Sequence, residues 1–158
     1  AAPEKVPTKA GSTAGVARTA PPQQLKPGEY FWHPEASPAG PLVIVVSIPD
    51  QRASVYRNGV IIGATTVSTG KKGHETPTGV FTVLEKDADH HSNIYNNAPM
   101  PYAIFYDGHY AIHGTDQIKR LGAPASNGCV RLHPDNAAIL FQMVKAEGME
   151  NMRVEIVQ

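Results

Sequence analysis

The chain has 158 residues and a mass of 16.9 kDa, about the size of one domain, and its 14 Lys+Arg balance 14 Asp+Glu. That neutrality argues against nucleic acid or an anionic membrane surface as the main partner, because such binding rests on many uncompensated basic groups. No stretch approaches the roughly 18 consecutive apolar residues of a membrane-spanning helix, and the single cysteine excludes an intrachain disulfide or a zinc site built from several cysteines.

Residues 1–29 hold five prolines, three glycines and no aromatic residue. Such a segment buries too little apolar surface to offset the entropy of ordering it, so it reads as a flexible tail ahead of a domain spanning 30–158. A start at Ala1-Ala2 without Met is compatible with an exported product whose signal peptide has been removed, and equally with an arbitrary boundary.

Folded patterning begins at Tyr30-Phe31-Trp32. The β-branched run 42–48 predicts a buried strand. Residues 53–57 and 60–67 flank Asn58-Gly59, a strong hairpin signal because both residues tolerate positive φ. A polar loop over 68–79 precedes a strand over 80–85, and 86–101 reads as a long loop without periodicity. Residues 102–106 and 109–112 form a second hairpin across Asp107-Gly108. A helix over 134–147 places Asn136, Ile139, Leu140, Met143 and Val144 on one stripe, accepts Pro134 in its first turn and stops at Gly148. Residues 153–157 close the chain as a strand. The result is a mainly β, mostly antiparallel domain with one packed helix.

The residues that carry chemistry cluster late. His113-Gly114 ends a predicted strand, and after a loop comes Ser126-Asn127-Gly128-Cys129-Val130-Arg131. Small neighbours let a carbonyl approach the Cys129 sulfur. A histidine on a nearby strand end could take the thiol proton, and backbone N–H groups around Gly128-Cys129 could stabilise an oxyanion. The competing reading is a buried, inert cysteine, since spatial adjacency cannot be read from spacing. By residues alone the chain is a candidate cysteine acyl-transfer protein.

This His-Gly, spacer, Ser-x-Gly-Cys-apolar-Arg pattern resembles the signature of the L,D-transpeptidase (YkuD-type) catalytic domain. Residues 45–47 with Gln51-Arg52-Ala53-Ser54-Val55-Tyr56 resemble that family's opening hairpin. Val67-Ser68-Thr69-Gly70-Lys71 with Gly73-His74-Glu75-Thr76-Pro77-Thr78-Gly79-Val80-Phe81 is similar to its glycine-and-threonine stretch, and His90-His91-Ser92, Tyr95 and Ala98-Pro99-Met100-Pro101-Tyr102 resemble proteobacterial members. The resemblance covers about 30–158 and departs from the commoner pattern in one place, Asn127 standing where many members have His.

The resemblance implies a mixed or antiparallel β-sandwich with one α-helix near the C-terminus, and a periplasmic enzyme acting on peptidoglycan stem peptides. Cys129 would be the nucleophile and His113 the base, oriented by a backbone carbonyl rather than by a carboxylate such as Asp116. Gly114, Ser126, Asn127, Gly128 and Arg131 would shape the site, and Tyr95, Met100 and Tyr102 would line the substrate groove or pack the loop. The acyl acceptor would be a stem amine, an amine of an outer-membrane protein, or water; a non-catalytic peptidoglycan-binding module is the alternative of a different class. No cofactor is expected. His74, His90 and His91 have no Glu or Cys at ligand spacing, so no metal is expected either.

Overall fold

The computed structural model of the protein describes residues 25–26, 28–91 and 98–158. Of the segment read as a tail, three described residues are already tied to the domain: Leu25 packs against Phe31, Ile61 and Ala64, Gly28 N–H donates to Thr66 Oγ1, and the Glu29 carbonyl accepts from Thr66 N–H.

Ten strands are described: β1 (Tyr30–Trp32), β2 (Leu42–Ser47), β3 (Arg52–Arg57), β4 (Val60–Thr66), β5 (Gly79–Thr82), β6 (Glu85–His91), β7 (Pro99–Asp107), β8 (Tyr110–Gly114), β9 (Val130–Leu132) and β10 (Met152–Val157). The helix α1 spans Pro134–Glu147. One sheet runs β1-β4-β3-β2-β10-β5 and the other β6-β7-β8-β9. Two pairings are parallel, β2 with β10 and β8 with β9; the other described pairings are antiparallel. Among the described residues the expected mainly β architecture with one α-helix is what forms.

Local chemistry explains most of the elements. In β2 the alternation is regular, with Leu42, Ile44 and Val46 buried. Asn58 and Gly59 turn β3 into β4 with φ of 55° and 81°, as a tight hairpin of this kind requires. The helix begins at Pro134, where the missing N–H has no helical partner to lose, and His133 Nδ1 accepts from Asp135 N–H. It buries Ala137, Leu140, Phe141, Met143 and Val144, and the main core joins these to Ile44 and Val55 of one sheet and Ile104, Ile112 and Val130 of the other. Ile139 lies only partly buried at the edge of that core.

The structure corrects the expected loop over 86–101. Residues 85–91 form β6, which pairs with β7 from His91↔Pro99 to Glu85↔Phe105. The expected strand over 80–85 is divided, because β5 joins β10 in one sheet while Leu84 N–H already bonds the Phe105 carbonyl in the other. β6 is an edge strand of charged and polar residues, so it has no apolar alternation to read; its stability comes from backbone bonds to β7. Prolines 99 and 101, which ordinarily argue against a strand, lie toward the end of the β6–β7 ladder. The second hairpin turns one residue later than expected, with Asp107 opposite Tyr110.

A buried polar chain ties the helix to the first sheet. Trp32 Nε1–H donates to Asn136 Oδ1 at 3.0 Å, and Asn136 Nδ2–H donates to Thr65 Oγ1 at 3.2 Å. Asn136 is fully buried, so its removal leaves a buried indole N–H without its acceptor. Asn136→Ala is expected to lower unfolding free energy by about 2 kcal/mol. Urea titration followed by Trp32 emission, the chain's one tryptophan, measures it; an unchanged midpoint would contradict this account.

Candidate active site

The second sheet brings the two sequence-distant motifs together. β8 and β9 lie parallel with Ile112 opposite Val130, His113 opposite Arg131 and Gly114 opposite Leu132. Side chains alternate along each strand, so Ile112 and Val130 enter the core while His113, Arg131 and Cys129 belong to the opposite face. There Met100, Ala103, Phe105 and Ala111 form a small apolar cluster against which Cys129 packs. A pocket of about 400 Å³ opens on this face, and Met100, His113, Ser126, Asn127, Cys129 and Arg131 all line it.

His113 is 5% exposed, and its Nδ1 lies 2.7 Å from the Gly114 carbonyl oxygen. A carbonyl only accepts, so Nδ1 carries the proton and Nε2 keeps its lone pair. Gly114 is tightly packed: a Cβ there would stand 3.0 Å from Pro134 Cα and 3.3 Å from Pro101 Cγ, so those neighbours would have to give way. The His-Gly pair thus sits where β8 passes close under the start of α1.

The cysteine loop is shaped by hydroxyls. Ser126 Oγ accepts from Gly128 N–H at 3.0 Å and donates to the Cys129 carbonyl at 2.6 Å. Thr76 Oγ1 accepts from Gly70 N–H at 2.8 Å and donates to the Gly128 carbonyl at 2.9 Å. Gly128 has φ 125°, and a Cβ on it would lie 2.5 Å from Tyr110 Cε1; both observations demand glycine. Of the two N–H groups expected to meet an oxyanion, that of Gly128 is already given to Ser126. The Cys129 N–H is the remaining candidate.

Burial governs the electrostatics. Desolvation lowers His113 to a pKa of about 4, with the Gly114 carbonyl opposing and the charges of Arg131 and His90 adding to the drop. Burial pushes the Cys129 thiol up, while the Ala111 backbone N–H and Arg131 pull it back. Each group alone therefore favours its neutral form. Arg131, half-buried, donates from Nη1 to Gln117 Oε1 at 3.2 Å.

The remaining expectations divide. Met100 lines the pocket, whereas Tyr102 turns away and packs edge-on against Phe141 of α1 with ring centroids 5.7 Å apart. Tyr95 lies outside the described residues. Asp116 lines the pocket mouth but His113 is oriented by the carbonyl, not by this acid. Among the described residues no group of three or more His, Cys, Asp or Glu could hold a metal ion. Sequence reasoning missed Thr76 as a site-shaping residue, together with Thr115 and Gln117 in the pocket wall. The threonine lay in a quoted motif, but only the fold carries that loop back to Gly128.

The His113 shift has a measurable consequence. Between pH 6.5 and about 4 the unfolded chain takes up a proton at this residue that the folded chain refuses. Its contribution to stability is thus complete above pH 6.5 and is lost as pH falls through the folded value. The wild type's advantage over His113→Gln in urea unfolding is expected to shrink by about 2 kcal/mol from pH 7 to pH 4.5. A pH-independent difference would refute the buried, neutral imidazole.

Known proteins share this fold. The family model "YkuD: L,D-transpeptidase catalytic domain" matches residues 41–156. A Bacillus subtilis protein named "Putative L,D-transpeptidase YqjB" is 33% identical over 120 residues, covering 68% of each chain. Among solved structures, an L,D-transpeptidase from Stackebrandtia nassauensis superposes with a TM-score of 0.66 at 25% identity over 75% of this chain and 56% of that one. The L,D-transpeptidase LdtMt1 in complex with imipenem gives 0.65 at 27% identity, over 73% and 58%. The chain thus spans less than two thirds of those solved chains. Fold, motif and family match agree: this chain belongs to the L,D-transpeptidase (YkuD) catalytic-domain family.

Proposed function

We propose that this protein is a cysteine-dependent L,D-transpeptidase acting outside the cytoplasm on peptidoglycan stem peptides, with Cys129 as nucleophile and His113 as base. The observation that carries this reading is the shared pocket: a thiol and an imidazole both line it, and the imidazole's Nδ1 is tied to the Gly114 carbonyl so that Nε2 is left as a base.

In the acylation step the thiol proton passes to His113 Nε2 as sulfur attacks the carbonyl of the L-centre of the stem's third residue. The Cys129 N–H meets the oxyanion. Collapse breaks the C–N bond, and His113 returns the proton to the departing D-Ala amine, leaving a thioester. An acceptor amine then attacks; His113 takes its proton and delivers it to the released thiolate. With a second stem as acceptor, the product is a cross-link between the third residues of two stems. Because burial disfavours both thiolate and imidazolium, proton transfer accompanies attack rather than preceding it.

Stem amine is the acceptor favoured here, since the pocket is open and its mouth carries Asp116 and Gln117 beside Arg131, polar groups suited to a charged peptide end. An outer-membrane protein amine or water would use the same thioester. A pure binding module has no use for a thiol beside an imidazole.

Incubation with imipenem followed by intact-mass spectrometry is expected to give one adduct on the wild type, none on Cys129→Ala, and acylation at least 100-fold slower on His113→Ala. An adduct that persists without Cys129 would remove it from the nucleophile's role. Purified tetrapeptide stems then select the acceptor: cross-linked dimer is expected, whereas released tripeptide alone would mark a hydrolase.

A further inference from the structure

The cysteine loop is held from behind by a residue that does not line the pocket. Gln51 closes the β2–β3 turn with φ 49° and is 4% exposed. Its Nε2 donates to the Ile48 carbonyl at 2.8 Å and to Thr69 Oγ1 at 2.7 Å, and its Oε1 accepts from Thr69 N–H at 3.0 Å. Its own backbone carbonyl accepts from Val67 N–H at 3.0 Å. Gln51 therefore grips the 67–69 segment at both ends.

Thr69, fully buried, passes the connection on. Its carbonyl accepts from Ala125 N–H at 2.9 Å and Ser126 N–H at 3.0 Å. Ser126 Oγ in turn sets the Gly128 N–H and the Cys129 carbonyl. The relay runs from one sheet to the nucleophile and meets the pocket wall only at Ser126.

Two features separate this from ordinary turn chemistry. Left-handed backbone is where glycine or asparagine is usual, and a longer side chain there carries a conformational cost. Glycine would have no amide to offer, and asparagine is one methylene shorter. Second, the side-chain amide engages one neighbour with donor and acceptor together, a match that neither a carboxylate nor an apolar isostere reproduces.

We propose that Gln51 is a positioning residue for acyl transfer, setting through Thr69 and Ser126 the direction in which the Cys129 backbone N–H points. This rests on the acyl-transfer function above. It acts on oxyanion stabilisation and leaves the intrinsic reactivity of the thiol alone, and that difference separates it from a merely structural role.

The test compares two reagents on the intact chain. Imipenem acylation needs the oriented N–H; alkylation by iodoacetamide needs an accessible, deprotonated sulfur but no oxyanion donor. In Gln51→Ala and in the near-isosteric Thr69→Val, the acylation rate at saturating imipenem is expected to fall at least tenfold while alkylation stays within twofold of wild type. Thr69→Ser, which keeps the hydroxyl, is expected to restore acylation. Should Gln51→Ala fail to fold, Thr69→Val against Thr69→Ser decides alone. Unchanged acylation, or acylation and alkylation falling together, would overturn the role of Gln51. A wild type that does not acylate at all would overturn the enzymatic reading itself, and this inference with it.

Discussion

The short parallel ladder between β8 and β9 is the contact on which the site depends. Three residue pairs hold it, and they bring a histidine at the end of one strand beside the strand that begins just after the cysteine. The alternation of a strand then decides everything about orientation. Ile112, Val130 and Leu132 enter the core, so His113, Cys129 and Arg131 must take the other face. Slipping the register by one would turn the polar set into the apolar core and the apolar set out of it, which is why so short a ladder holds a single alignment.

Around that ladder the protein uses small, buried hydroxyl and amide groups rather than charges. The Ser126 and Thr76 hydroxyls bond backbone groups of the loops that meet there, the Thr69 hydroxyl accepts from the Gln51 amide, and all three residues are almost fully buried. Buried polar groups are tolerable only when paired, so these bonds make alternative loop shapes costly. Glycine completes the design at positions 114 and 128, where a Cβ would crowd Pro134 at the first and overlap the Tyr110 ring at the second. A rigid loop suits a reaction whose intermediate must be met by a fixed N–H donor.

The same burial explains the electrostatics. Burial deep enough to depress His113 to about 4 also raises the thiol, and both shifts discourage charge separation at rest. Charge develops when a substrate carbonyl is present to receive it. Neighbouring groups modulate the balance: Arg131 acts on both members, and His90, set against Asp87 at 3.2 Å and edge-on to Phe105, adds to the depression of His113.

Much of the fold could be read from local pattern, because local pattern is what β2, the Asn58-Gly59 hairpin and α1 obey. Their apolar spacing and turn residues need no distant partner to be recognised. β6 was illegible for the opposite reason: a charged edge strand is specified by the backbone of β7, and no side-chain period records that. The likeness to the YkuD family lay in ordered motifs, and through it Cys129 and His113 stood out. Tertiary structure alone decided that Met100 reaches the pocket while Tyr102 packs on the helix, that Gly128 gives its N–H to Ser126, and that Gln51 reaches Thr69. Residue identity announces which chemistry is available; only long-range pairing of strands and loops brings groups scores of residues apart to within a bond's length of one another.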